Sequence, residues 1–308
     1  MKMSLIATFS PLIIIFIMFL IIFLSIFIFG AFLVLKMTKK VRNLGKRTPK
    51  DVGLDFEEHW IPTREGHRLH AWFIPRGSDK TIIIAHGYTS TKSHDPYPEG
   101  EHYCFFTMKM LAESGYNVLL FDFRAHGKSE GEYTTIGPKE ADDIIAVIDW
   151  LKENKEENTS KIGLIGYSMG GAATIFAITK DDRINAAIAD SPYANLGKAI
   201  RRMLARKHMK FLYPILKFWA KRLLHLDPDR VSPAEAAKDI KAPLFIIIGT
   251  EDYLVSVDDA RRIYENAKMS GQEVELWMVE GAKHVRSHIK EPEEYKKRVL
   301  EWFSRHLQ

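Results

Sequence analysis

Three residues have the types and the order needed for nucleophilic attack on a carbonyl: Ser168, Asp252 and His284. Ser168 sits in Gly166-Tyr167-Ser168-Met169-Gly170, directly after the apolar run Ile162 to Ile165 and before Gly171 to Thr179, which reads as a helix. A serine on a tight strand-to-helix turn stands clear of the sheet and can reach both a substrate carbonyl and a base, and flanking glycines leave room for that turn. A hydroxyl is a poor nucleophile at neutral pH, so a partner must take its proton. His284 follows the strand-like run Leu276 to Glu280, and Asp252 follows Leu244 to Gly249. In that pairing the histidine acts as base, and the aspartate holds the ring's tautomer and stabilises the imidazolium. A lone histidine or aspartate in such a place is more often a hydrogen-bonded loop residue or a turn former; the joint placement after successive strands favours the catalytic reading. Glu251, adjacent to Asp252, stays open as the alternative acid. The developing oxyanion needs two N–H donors, one after the nucleophile and one from the loop after the third strand. Ala85-His86-Gly87-Tyr88-Thr89 occupies that loop, so the backbone N–H groups of Tyr88 and Met169 are the expected donors. His86 reads as a brace of the loop.

These residues must be positioned by the elements around them. Glu58 to Pro62 and Arg68 to Ile74 read as an antiparallel hairpin around Arg64-Glu-Gly-His. β-branched apolar runs at Thr81 to Ala85, Val118 to Phe123, Ile162 to Ile165, Ala186 to Ala189, Leu244 to Gly249 and Val274 to Val279 then follow. Between and after them lie helix-period segments near Tyr103 to Ser114, Lys139 to Lys152, Ser256 to Lys268 and Glu291 to His306. Strands alternating with helices predict an α/β domain with a mostly parallel central sheet flanked by helices. Ligands of such sheets lie beyond the carboxyl ends of the strands, where Ser168, Asp252 and His284 all fall.

The first 50 residues have a different character. Met3 to Leu35 carry no charged side chain, and the part after Pro11 alone exceeds the roughly 20 residues that cross a bilayer. A cleaved signal peptide has a shorter apolar region and a small-residue cleavage site, neither of which is visible. One transmembrane helix is therefore expected, with residues 1–35 as anchor, 36–50 as a basic juxtamembrane linker and 51–308 as the folded domain. Lys36, Lys39, Lys40, Arg42, Lys46, Arg47 and Lys50 follow the span, against Lys2 before it, which predicts a single-pass cell-membrane protein with its domain on the cytoplasmic side. Eight of the 44 basic residues lie in the first 50 and no acid does, leaving 36 basic against 39 acidic side chains beyond. The net charge of +5 thus belongs to the anchor, and a nucleic-acid partner loses its support. The single cysteine, Cys104, precludes an internal disulfide and reads as a packed helix residue.

Five motifs carry a resemblance: His86-Gly87-Tyr88; Asp122-Phe-Arg124-Ala-His126-Gly127-Lys-Ser129; Gly166-Tyr-Ser168-Met-Gly170-Gly171; Gly249-Thr-Glu-Asp252; and His284. In this order they resemble the α/β-hydrolase superfamily, and within it the bacterial serine aminopeptidase-like and monoacylglycerol-lipase-like branch, over Glu58 to Leu307. The resemblance implies an α/β-hydrolase fold with a helical cap insertion, here at about 195–230. It also implies a triad of Ser168, Asp252 and His284, an oxyanion hole at Tyr88 and Met169, and a structural loop from Asp122 to Ser129 in which His126 braces a turn. No cofactor or metal is needed for that chemistry.

The substrate is left open by the resemblance. Leu196 to Leu226 reads as helical and holds nine Lys and Arg, among them Arg201, Arg202 and Arg206, with no acid. This cap has two readings: a solvated basic face, or a surface that meets anionic lipid. Three function classes follow. A carboxylesterase or lipase acting on a small-molecule or lipid ester leads. The alternatives are a peptidase of the aminopeptidase kind, without the large extra domain of prolyl-oligopeptidase relatives, and a non-catalytic anchored scaffold. The partners expected are that ester and the membrane, through residues 5–35 and the basic cap.

Overall fold

A computed structural model describes residues 11–41, 43–96 and 101–308. Lys2, residues 5–10 of the expected span and Arg42 of the basic run lie outside the described residues.

The hairpin forms as expected, β1 (Glu57–Pro62) against β2 (Arg68–Ile74), closed by a turn in which Thr63 N–H donates to His67 O at 2.9 Å. Six further strands are β3 (Lys80–Ala85), β4 (Asn117–Phe121), β5 (Lys161–Tyr167), β6 (Ile184–Asp190), β7 (Leu244–Gly249) and β8 (Val274–Val279). They build one sheet in the order β1-β2-β4-β3-β5-β6-β7-β8. β2 meets β4 antiparallel, and every pairing from β4 to β8 is parallel.

Ten helices accompany these strands among the described residues. The first is α1 (Pro11–Thr38); the rest are α2 (Tyr103–Glu113), α3 (Pro138–Asn154), α4 (Met169–Lys180), α5 (Leu196–Arg206), α6 (Tyr213–Leu224), α7 (Pro233–Ala236), α8 (Val257–Ala267), α9 (Ser287–Lys290) and α10 (Pro292–His306). The central strands are apolar at consecutive positions because both sheet faces are covered. In β3, Ile83 and Ala85 enter the core shared with Val147 of α3 and Ala173 of α4, whereas Ile82 and Ile84 enter the core shared with Phe105 of α2 and Trp302 of α10. Each fully buried aliphatic side chain of this kind contributes about 1.5–3 kcal/mol.

α1 is a 28-residue helix, long and apolar enough to cross a membrane. At ~1.5 Å per residue it is ~42 Å long, more than the ~30 Å of a bilayer's hydrocarbon. From Phe27 onward the helix is docked on α6. Trp219 Nε1 of α6 donates to Phe27 O at 2.8 Å, and the Phe27 ring lies 5.2 Å from Phe218 and 5.0 Å from Trp219. Gly30 permits this approach, since a Cβ there would stand 2.3 Å from Ile215 Cγ2. The last four carbonyls of a helix lack partners within it. Here Lys39 N–H donates to Leu35 O at 2.8 Å, the Tyr88 hydroxyl to Met37 O, and Thr134 N–H to Thr38 O at 2.8 Å.

The helix thus runs three residues beyond the expected Leu35 boundary. Residues beyond it, read from their polarity as a linker, bond to the domain: Val41 N–H donates to Ala125 O at 2.7 Å and Gly127 N–H to Val41 O at 2.9 Å. Composition could not reveal this, because the bonds are made by backbone groups that every residue carries.

Candidate active site

Ser168 is the single residue between β5 and α4, and its backbone sits at φ 53, ψ −111. That conformation costs an L residue on the order of 1–3 kcal/mol and persists only where its surroundings enforce it. Enforcement comes from crowding. A Cβ at Gly166 would lie 2.2 Å from Gly170 O, and one at Gly170 would lie 2.2 Å from Ala85 O. Ser168 N–H donates to Asp190 O at 2.8 Å, which closes the turn onto the end of β6.

The loops after β7 and β8 bring the two expected partners to this serine. His284 Nε2 stands 2.9 Å from Ser168 Oγ, and His284 Nδ1 stands 2.7 Å from Asp252 Oδ2. The other carboxylate oxygen of Asp252 accepts from Leu254 N–H at 2.8 Å and Val255 N–H at 2.9 Å, so both its oxygens are occupied. The neighbouring Glu251 is exposed, and its backbone N–H donates to Ala282 O at 3.0 Å. Of the two candidate acids, Asp252 is therefore the one that meets the ring. The acid and histidine loops brace each other further where Gly281 N–H donates to Thr250 Oγ1 at 2.8 Å.

Asp190 and Ser191, which support this site, escaped the reading of the sequence. Val285, after the histidine, has φ 52, and its N–H donates to Ser191 Oγ at 3.2 Å. Ser191 Oγ donates in turn to Asp190 Oδ1 at 2.8 Å, and Tyr295 Oη donates to Asp190 Oδ2 at 3.2 Å. Asp190 is wholly buried, and burial pushes its pKa up to about 6 despite these bonds. The available signal was the Asp190-Ser191 pair at the end of β6, on the same row of strand ends as the other loops.

Met169 opens α4 directly after Ser168, so its N–H has no partner within the helix. Tyr88 follows β3, next to Thr89 at φ 62, and Tyr103 Oη accepts from Gly87 N–H at 2.9 Å. His86 is buried; burial lowers its pKa to about 3, and as a neutral ring it accepts from Phe123 N–H through Nε2 at 3.0 Å. The Asp122 to Ser129 segment is held from inside. Lys92 Nζ lies 2.5 Å from Asp122 Oδ2, and Arg124 Nη2 lies 2.7 Å from Asp143 Oδ1.

A cavity of about 460 Å³ lies over Ser168, Met169 and His284, beneath α5, with Ile136, Leu196 and Ile200 on its walls. Three of the cap's arginines are engaged with the rest of the domain. Arg201 Nη2 lies 2.8 Å from Asp229, Arg202 Nη1 lies 2.7 Å from Asp259, and Arg206 Nη1 donates to Tyr253 O at 2.5 Å. Two of these contacts reach the loop and helix that follow Asp252, so they help hold the acid in place.

Residues 102–308 match the prolyl oligopeptidase family. The chain belongs to that family. Its members share the α/β-hydrolase fold described above, and the chain is a serine hydrolase. The esterase Pf2001 of Pyrococcus furiosus is 38% identical, covers 88% of this chain and 99% of its own, and superposes with a TM-score of 0.76. The Bacillus subtilis protein YqkD is 29% identical over 79% of this chain and 77% of its own. The acylaminoacyl peptidase of Pyrococcus horikoshii shares the fold at 21% identity and a TM-score of 0.64; the match covers 82% of this chain but 42% of that one.

Proposed function

We propose that this prolyl oligopeptidase family member is a membrane-anchored hydrolase that cleaves carboxylic esters with an apolar acyl part through an acyl-serine intermediate. The observation that carries the reading is the line from Ser168 Oγ through His284 to Asp252, at 2.9 and 2.7 Å, at the floor of a mostly apolar cavity. Ser168 Oγ attacks the ester carbonyl while its proton passes to His284 Nε2. Asp252 accepts from Nδ1–H throughout and stabilises the imidazolium. The carbonyl oxygen becomes an oxyanion bonded to the N–H groups of Tyr88 and Met169; losing one such donor costs about 3 kcal/mol of transition-state stabilisation. The bond from carbonyl carbon to alcohol oxygen then breaks, and His284 returns its proton to the departing alkoxide. Water, deprotonated by the same ring, attacks the acyl-serine and releases the acid and the free hydroxyl.

The family also contains peptidases, and the cavity's lining bears on that alternative. An aminopeptidase needs an anionic group for the substrate's ammonium, yet the described residues lining the cavity include Arg206 and Lys207 and no carboxylate. The Pf2001 likeness, to a protein named an esterase, points the same way. Anchoring by α1, with the domain on the cytoplasmic side, is supported by its length, its apolarity and the basic residues after it.

The test is hydrolysis of p-nitrophenyl esters and of matched peptide anilides by the full chain in detergent, beside Ser168→Ala. Ester turnover that vanishes with Ser168 supports the reading. Turnover of anilides alone would replace it with the peptidase, and turnover of neither would leave an anchored scaffold.

A further inference from the structure

The last two turns of α1 do more than end the apolar helix. Met37 lies on the wall of the cavity that holds Ser168 and His284. A second, narrower cavity of about 40 Å³ begins beside it and runs between α1 and α6, with Val34, Met37, Leu216 and Ala220 among its walls. Met37, Ile136, Leu196 and Ile200 line both, so the two spaces adjoin across these four side chains.

The polar groups of this second cavity are already engaged. Thr38 Oγ1 is turned back on Val34 O at 2.8 Å, Tyr213 Oη donates to Asp229 Oδ1 at 2.6 Å, and Lys217 Nζ lies 2.6 Å from Asp229 Oδ2. An occupant therefore meets hydrocarbon. The wall is also tied to the site, since the Tyr88 hydroxyl donates to Met37 O and Tyr88 itself lines the cavity over Ser168. Ile136, common to both cavities, is held at φ 59, and its carbonyl accepts from the Tyr193 hydroxyl.

We propose that Val34 and Met37 of α1 form the distal wall of the acyl site, so that the same helix that anchors the chain also selects the substrate's acyl length. The inference rests on the reading of Ser168 as the residue that accepts the acyl group. A long acyl chain would lie from Ser168 past Met37 toward the α1–α6 pair, the direction in which the helix's apolar residues continue. A short acyl chain would never reach Val34.

The experiment measures kcat/KM for p-nitrophenyl esters from butyrate to palmitate with the full chain in detergent micelles. The variants are Met37→Trp, Val34→Phe and Met37→Ala, with Met269→Trp, at an exposed site on the far side, as control. Labelling of Ser168 by a fluorophosphonate reports that each variant is folded. Each methylene denied its place lowers kcat/KM about fourfold. Met37→Trp is expected to lower the ratio of long-chain to short-chain kcat/KM at least tenfold. Val34→Phe should do so only at greater chain length, and Met37→Ala should move the optimum to longer chains. A ratio unchanged within about twofold in all three, with Ser168 still labelled, overturns the wall while leaving the esterase standing. A ratio that falls equally in Met269→Trp also overturns it. No turnover of any ester by the unaltered chain overturns both the wall and the esterase.

Discussion

Asp190 offers the sharpest test of how the site is held. Its carboxyl is wholly buried at the end of β6, bonded to Ser191 and Tyr295, with a pKa raised by burial from 3.8 to about 6. Between those two values the folded chain keeps a proton that the unfolded chain has released, so raising the pH favours unfolding. The contribution of the neutral acid is fully present below about pH 4 and is lost as the pH rises through about 6. A shift of about two units corresponds to about 3 kcal/mol. Asp190→Asn has no charge to develop, so the variant should gain relative to the parent across that window, by up to about 3 kcal/mol at pH 7. The assay is urea unfolding of the full chain in detergent, parent and variant side by side at half-unit steps from pH 4 to 7.5. Taking the difference removes the other titrating groups common to both. A parent-to-variant difference that stays constant from pH 4 to 7 would refute the reasoning.

Two further outcomes follow from the same geometry. Asp252→Asn should lower kcat for ester hydrolysis on the order of 10³ to 10⁴ fold, because the ring loses its tautomer and its counter-charge, whereas Glu251→Gln should stay within about twofold; the reverse ranking in steady-state rates would reassign the acid. Lys92→Met should destabilise the fold by about 3–5 kcal/mol, since it leaves Asp122, 1% exposed, without its ammonium partner; an unchanged urea midpoint would show that the pair does not brace the loop.

The local features were legible because their causes lie within a few residues. Both faces of the sheet's centre are buried, so the central strands had to be continuous apolar runs, and the strand limits were readable to within about two residues at either end. The serine turn was readable for a similar reason: Gly166 and Gly170 are forced by atoms of the same strand, turn and helix and of the adjacent β3. The order of serine, acid and histidine then followed from the rule that sites lie at the carboxyl ends of strands. That rule was not enough to choose between Asp252 and Glu251. The choice depends on which side chain faces a ring 32 residues away in sequence, held by Ser191 and Asp190 from a third strand.

Charge shows the same division. The stretch from Leu196 to Leu226 has no acid, so it read as an unbalanced basic cap; its counter-charges are Asp227 and Asp229 just beyond it and Asp259 on α8. Lys198, Lys207, Lys210 and Arg222 remain exposed, so they are where a lipid headgroup would be sought, whereas reversing Arg201 or Arg202 would break the cap. The sequence alone determined the apolar helix, the α/β alternation and the three loops that carry the site, because each is written in the pattern of near neighbours. Only the tertiary structure decided which carboxylate faces His284, where the cap's arginines point, and that α1 closes one side of the cavity. Those depend on groups brought together from distant parts of the chain, whose approach no local pattern encodes.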